Sequence, residues 1–482
     1  MEVRSIFLNL SPLDHRYYLS NRQVFEELSK YLSEEANIRY CLRVEVALLE
    51  SLLSPAMGLA EADSGSLSRI RRLAEEISPE EVYEEEGHTH HNIRALVNVM
   101  KRKVPAPIRH LVHLGATSVD ILDTALSLRV RDSTRRVILP LLLKLMGTLI
   151  DLTLREASTP QIGRTHGQFA VPITFGYALA EYVSRLGKSI ERIEQKSANL
   201  RGKLAGAVGA YNAMSLIVED PENLEVDFLG RLGLGVSEHS TQLVEPEYLL
   251  ELLLEINTGF GIIANLADDL RNLQRSELGE VRELFSKEQV GSSTMPQKRN
   301  PWNSEHVKSL WKAFSPRVMT MFMDQISDHQ RDLTNSASSR FITEYLTGFS
   351  SAVNRMAGVL ASLHVDRVRM LRNLRSAGDL VLAEAVYILL SLTGDPQGHE
   401  RVRRLTLEAD EGGKSLGEVL GESPETFEQL SAVLRERRGG DLKKLFSSPE
   451  MYCGISAKKA ERIALKYREK MAVISSSLGK TE

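Results

Sequence analysis

At 482 residues, 42% hydrophobic and 26% charged, the chain is long enough for two or three packed domains, and its composition excludes general disorder. A formal charge of -4 excludes a broad polyanion-binding surface, so nucleic acid is not an expected partner, while a local group of arginines for a small phosphate or carboxylate stays open. Cys41 and Cys453 lie far apart without CxxC spacing, which excludes a disulfide framework and a zinc knuckle; both read as reduced thiols.

In chain order, MEVRSIFLNLSPLDHRYY has no uninterrupted apolar signal core, and no apolar run reaches the roughly 20 residues of a membrane span. A cytoplasmic protein with no membrane partner is expected. Residues 1–115 read as a small helical domain. A helix over Ile121–Leu154 follows, interrupted at Pro140. From Phe175 the positions Leu179, Tyr182, Leu186, Ile190, Ile193, Ser197, Leu200 and Leu204 step by three and four, one face of a long helix. Tyr248–Leu273 is apolar nearly all round and should be enclosed on all sides. Trp302–Ile326 and Phe341–Leu363 complete five long segments, which predict an all-α protein with an elongated central bundle over 116–365 and a further helical domain over 366–482. Strand signals are scarce, and GAVGAY at Gly206 follows a helix rather than a strand, which argues against a dinucleotide fold.

Polar clusters mark the ends of the long segments: SPLDHRYY at Ser11, GHTHHNI at Gly87, HLGATSVDILDTA at His113, GRTHGQ at Gly163, STQLVEP at Ser240, QVGSSTMPQKRNPWNSE at Gln289 and RDLTNSASSR at Arg331. His88, His90 and His91 invite a metal, but no HExxH or CxxC accompanies them. His166 in a turn reads equally as a structural hydrogen-bonder. In the segment from Gln289, Pro296 breaks any continuous helix, and Asn300-Pro301 reads as an N-cap followed by the first helical position.

GSSTMPQKRNPWNSE resembles the signature loop of the fumarase, aspartase and argininosuccinate lyase superfamily, through Ser292, Ser293, Met295, Pro296, Lys298, Asn300 and Glu305. With SPLDHRYY, HLGATSVDILDTA, GRTHGQ, STQLVEPEY, RDLTNSASSR and the tail SPEMYCGIS, nearly the whole chain is similar to the adenylosuccinate lyase family. The resemblance implies three helical domains, a central bundle that forms a homotetramer, and release of fumarate from adenylosuccinate and from SAICAR, with no metal or other cofactor.

Such a cleavage removes a proton beside a carboxylate and protonates the departing nitrogen, so a base and an acid must face opposite sides of the substrate. By resemblance Ser292 is the base and His166 the acid. Lys298 and loop amides would activate the serine and stabilise the developing charge, and Glu305 would hold His166 cationic. Arg16 and Tyr17 match the family's N-terminal phosphate-binding pair, and Arg331, Ser336 and Arg340 its later set. Thr117, Ser118, Gln242, Ser293 and Asn300 match positions that bind substrate, chiefly the succinyl carboxylates; His91 and His113 match histidines that position it. The resemblance also implies sites built from three chains, with His91 and His113 from one, His166 from a second and Lys298 from a third. Two residues depart from the family pattern: His15 where glycine is usual, and Asn92 where an aspartate follows the histidine. An argininosuccinate-cleaving relative would share the loop, MPQK in particular, but has no use for Arg16, Arg331 and Arg340. A bulk protein without catalysis is opposed by intact Ser292, Lys298, His166 and Glu305. A metal-binding regulator rests on His88, His90 and His91 alone.

Overall fold

The computed structural model describes residues 4–54, 59, 64–284, 294–295 and 297–479. It is all-α in class, with strands confined to short pairs among the described residues. The bundle is made of α1 (Ser118–Ser133), α2 (Leu139–Arg155), α3 (Phe175–Ala198), α4 (Glu247–Leu273), α5 (Trp302–Phe314), α6 (Ile342–Ala361) and α7 (Ser456–Leu478). Helix α3 packs against α2, α4 and α7, while α5 lies between α4 and α6. The three-and-four spacing is the cause: Leu179, Val183, Leu186, Ile190 and Ile193 are all buried along α3. Phe260 and Phe349 meet edge to face with centroids 5.3 Å apart in the same core. Each buried ring of this kind stabilises the fold by roughly 2–3 kcal/mol.

Four sequence expectations are altered. Pro140 does not interrupt the helix. Residues Thr134–Ile138 form a π-turn in which the Leu139 amide bonds to the Thr134 carbonyl, and α1 runs on into α2; the widened turn absorbs the proline. Trp302–Ile326 is two helices, because Pro316 stops α5 at Phe314 and a short helix, Arg317–Met323, starts after it. The face that began at Phe175 leaves its helix at Ala198, before Leu200 and Leu204. Helix α4 is not enclosed on all sides within one chain, since Leu254 is 38% exposed and Tyr248 and Leu249 are half-buried. Helices 118–155 and 247–273 are each long and apolar enough to cross a membrane by length and composition; both lie in the bundle, with 56% of each apolar window buried.

The segment 366–482 contributes to two cores. Val386, Leu390, Leu416, Leu420, Leu430 and Leu442 form a separate small cluster. Tyr467, Met471 and Ile474 of α7 join the main core, where the Tyr467 ring fills the space that a side chain at Gly187 would need.

Candidate active site

GRTHGQ lies in a hairpin that the sequence did not disclose. Strand β1 (Pro160–Thr165) pairs antiparallel with β2 (Gln168–Thr174), and Thr165 opposite Gln168 leaves His166-Gly167 as a two-residue turn. Both turn residues have positive φ, 53° and 77°, as a type I′ hairpin turn demands. The register shifts between Ile162 and Arg164; at Gly163 between them, a Cβ would come within 2.6 Å of the Val171 carbonyl oxygen. The hairpin is rooted on buried Glu280, which accepts from Arg164 Nη2 at 2.6 Å, Gln161 Nε2 at 2.8 Å and Asn373 Nδ2 at 2.9 Å. The tail motif lies against the same hairpin, with Cys453 Sγ donating to the Ile173 carbonyl at 3.2 Å. His166 itself is exposed and has no hydrogen-bond partner among the described residues.

Three residues after Glu280 a second buried carboxylate caps α5. Glu283 accepts from the Ser304 amide at 2.8 Å, Ser304 Oγ at 2.6 Å, the Asn303 amide at 3.2 Å and Asn303 Nδ2 at 2.9 Å. A carboxylate at a helix N-terminus satisfies its orphan amides and opposes its dipole. The expected Asn300-Pro301 start is therefore shifted: Pro301 takes the cap position, Trp302 begins the helix, and the cap comes from Glu283. Gln274 pins both ends of the segment, donating to the Arg299 carbonyl at 3.1 Å and accepting from the Glu283 amide at 2.9 Å. Lys298 and Glu305 are exposed, and neither side chain has a partner among the described residues. Asn300 is half-buried beside them. Ser292 and Ser293 lie outside the described residues.

Arg16 and Tyr17 open a short helix, Arg16–Ser20, against the start of α5. Tyr17 Oη is 3.1 Å from His306 Nε2, and Arg355 reaches in from α6, stacked 5.1 Å over Trp302 and donating to Asn303 Oδ1 at 2.8 Å. Burial, then the Arg355 and Arg16 charges, push the His306 imidazole below its ordinary range. His15 has φ -134°, outside the region that calls for glycine, so its departure from the family pattern carries no left-handed strain.

The second arginine group stands elsewhere. Arg331 Nη1 donates to Gln242 Oε1 at 2.7 Å, and the Gln242 amide to the Gln330 carbonyl at 3.3 Å. Asp123 holds the loop that carries Gln242, accepting from the Val244 amide at 3.1 Å; burial pushes its carboxyl up to about 6. Gly209 of GAVGAY packs on this loop too, where a Cβ would fall 1.8 Å from the Ser240 carbonyl oxygen. Arg340 donates back to the Ser336 carbonyl, and both are exposed. Arg340 precedes α6, whereas Arg355 lies thirteen residues past its first residue, Ile342, about 20 Å along the axis at 1.5 Å per residue. A single chain does not bring Arg16 together with Arg331 and Arg340.

The remaining predicted residues cap helices or sit in turns. His91 Nδ1 accepts from the Arg94 amide at 3.3 Å, capping Asn92–Lys103. Among the described residues no group of three His, Cys, Asp or Glu side chains is placed to hold a metal, the GHTHH histidines included. The Thr117 amide donates to Asp120 Oδ2 at 2.8 Å, and Thr117 and Ser118 are half-buried at the head of α1. Asp120 pairs with Lys203, both fully buried, and Lys203 Nζ also donates to the Gly206 carbonyl at 3.2 Å. His113 stands in the left-handed region, φ 62°, with Nδ1 2.6 Å from Glu45 Oε1. Burial acts to lower its pKa, but the Glu45 hydrogen bond and charge, with Asp120 behind, outweigh it and the net shift is upward. Glu45, Asp120, Lys203, Glu280, Glu283 and His306 are residues that sequence reasoning missed. The readable signal was a charge inside an apolar run, as in CLRVEVALL around Glu45.

Comparison with known proteins bears on the same residues. A lyase family model matches residues 17–314, from Tyr17 through the hairpin to the end of α5. A model described as adenylosuccinate lyase C-terminal matches 327–437, which holds Arg331, Ser336, Arg340 and the second core. The chain is 32% identical over 472 residues to an adenylosuccinate lyase of Pyrococcus abyssi and 33% identical over 472 residues to that of Pyrococcus horikoshii, in each case with 95% of this chain and 98% of the relative covered. A solved structure of a 3-carboxy-cis,cis-muconate lactonizing enzyme from Pseudomonas putida superposes with TM-score 0.76 at 26% identity, covering 95% of this chain and 99% of that one. A hairpin-borne histidine, a capped signature helix and an arginine segment thus all fall inside matched regions, and the chain is a lyase that belongs to the adenylosuccinate lyase family.

Proposed function

We propose that the protein eliminates fumarate from adenylosuccinate, giving AMP, and from SAICAR, giving AICAR, in purine nucleotide biosynthesis in the cytoplasm. The observation that carries the chemistry is His166: an imidazole presented without a partner at the tip of a hairpin whose root is fixed by a buried carboxylate. A general acid needs that combination of rigid backbone and free ring nitrogen. His166 protonates the departing nitrogen, Ser292 takes the proton beside the carboxylate, Lys298 stabilises the charge that develops, and Glu305 keeps the acid cationic. Thr117, Ser118, Gln242, Ser293 and Asn300 hold the succinyl group, His91 and His113 position the substrate, and Arg16, Tyr17, Arg331, Ser336 and Arg340 take the phosphate.

Each site is assembled from three subunits of a homotetramer. The separation of Arg16 from Arg331 and Arg340 within one chain supports this reading, because one phosphate cannot span about 20 Å. So does the uncovered apolar surface of Leu254, Met319, Phe322, Met323 and Ile326, which partner helices would bury. The test is incubation with adenylosuccinate while following fumarate and AMP, beside the same compound without its phosphate and beside argininosuccinate. Fast release from the phosphorylated substrate alone is expected; equal turnover of the dephosphorylated compound overturns the phosphate assignment. A stable monomer in sedimentation at micromolar concentration overturns the shared site.

A further inference from the structure

Glu45 has no structural reason to be ionisable. It lies in the helix Glu34–Leu52, is 1% exposed, and its neighbours Leu42, Val44, Leu48 and Leu49 are buried apolar residues. One carboxylate oxygen, Oε1, is 2.6 Å from His113 Nδ1; the other, Oε2, is buried without a hydrogen-bond partner. A leucine would fill this position without desolvating a charge. The buried acid nearest to it in role, Asp120, is already matched by Lys203, so the charge that answers Glu45 is His113. That histidine is held in the left-handed region, its side chain 20% exposed, and its Nε2 has no partner among the described residues.

We infer that Glu45 is a positioning residue that fixes His113 as an imidazolium and presents its Nε2–H to an anionic group of the substrate. The inference rests on the lyase reading above, in which His113 faces substrate. With Nδ1–H donated to Glu45, the tautomer and the ring orientation are set together, and the second N–H forms a charge-assisted bond. The charged groups facing His113 are Glu45 and Asp120, which favour its cation, and Lys101, which opposes it.

The test uses the full-length protein labelled with nitrogen-15 at histidine, the His113 signal being identified by its loss in His113→Asn. In the unmutated enzyme His113 should titrate above the ordinary histidine midpoint of about 6.5, with both ring nitrogens protonated below it. In Glu45→Gln the midpoint should fall by about one unit or more, the alkaline limb of kcat/KM for adenylosuccinate should move down with it, and KM at pH 8 should rise about tenfold, with KM at pH 6 nearly unchanged. An unmutated enzyme that cleaves adenylosuccinate while His113 titrates at or below about 6.5 overturns the inference and leaves the lyase reading standing. A high midpoint in a protein that releases no fumarate overturns that reading, and with it the presentation to substrate. If Glu45→Gln does not fold, the titration of the unmutated enzyme decides alone.

Discussion

His113 and His166 share a left-handed backbone, φ 62° and 53°, in opposite surroundings. Around His113 everything is supplied by its own chain: a buried carboxylate at 2.6 Å, a loop tied to Asp120, and a helix head below. Around His166 nothing is supplied but backbone geometry; the ring stands at the exposed tip of β1 and β2, and all the fixing contacts are at the hairpin root. A left-handed non-glycine residue costs about 1–3 kcal/mol and persists where its surroundings over-determine it. At His113 a buried charge does so. At His166 the two-residue turn does, and an asparagine would satisfy that turn better than a histidine. One histidine is thus retained by its fold, the other in spite of it, which is what separates a ring that orients substrate from one that must reach a site completed elsewhere.

Substituting asparagine at each position tests that contrast. His166→Asn should lower turnover by about 10² to 10⁴, measured by single-turnover release of fumarate, with thermal unfolding unchanged or slightly raised; a clear fall in the unfolding midpoint would mean that the ring also supports the hairpin. Mixing inactive His166→Asn with inactive Ser292→Ala under subunit exchange should restore activity at roughly a quarter of sites, because each site draws the two residues independently. Proven hybrids without activity would place both residues in one chain.

At the other histidine the loss should appear in stability. His113→Asn leaves Glu45 buried without its counter-charge and should cost about 2 kcal/mol near pH 6 in denaturant unfolding. Because the native His113 pKa is raised, its contribution is complete below the unfolded value of about 6.5 and fades as pH rises through the higher native value; the gap between variant and parent should narrow with it. The smallest effect concerns the chain leading into the hairpin. Burial pushes the Glu156 carboxyl up, but bonds from Arg367, Thr159 and Arg155 pull it further down, so its pKa is lowered. Its contribution is therefore present above the unfolded value of about 4.3 and lost as pH falls through the native one. Glu156→Gln should cost about 1 kcal/mol at pH 7, since both arginines are half in water, and converge with the parent in acid; equal stability at pH 7 would remove Glu156 from the hairpin's support.

What was legible in the sequence follows the range of the interaction. The three-and-four spacing of α3 depends on neighbours in the chain, and the burial of Leu179 to Ile193 follows it. The hairpin stayed hidden because Gly163 and the His166-Gly167 turn break up its short strands, and because Arg164 is held by Glu280, 116 positions away. Pro301 was read as the first helical residue since the cap that starts α5, Glu283, lies outside any local window. Pro316 was passed over for the opposite reason: the apolar period continues across it, and only the missing amide ends the helix. Residue types at the site were readable as motifs, whereas Glu45 was not, because a lone acid in an apolar run acquires meaning only from the histidine it faces.

The π-turn at Thr134–Ile138 places a constraint on chain length. It holds one more residue than an α-helical turn of the same rise, and each residue turns a helix by about 100°. Deleting a single residue there would restore ordinary α geometry around Pro140 while rotating everything beyond it by that angle. Leu142, Leu145, Met146 and Leu149, all buried on α2, would then swing away from α3 and α6, carrying β1 and its histidine with them. Between residues 133 and 139 side chains are open to exchange, but the count of residues is not.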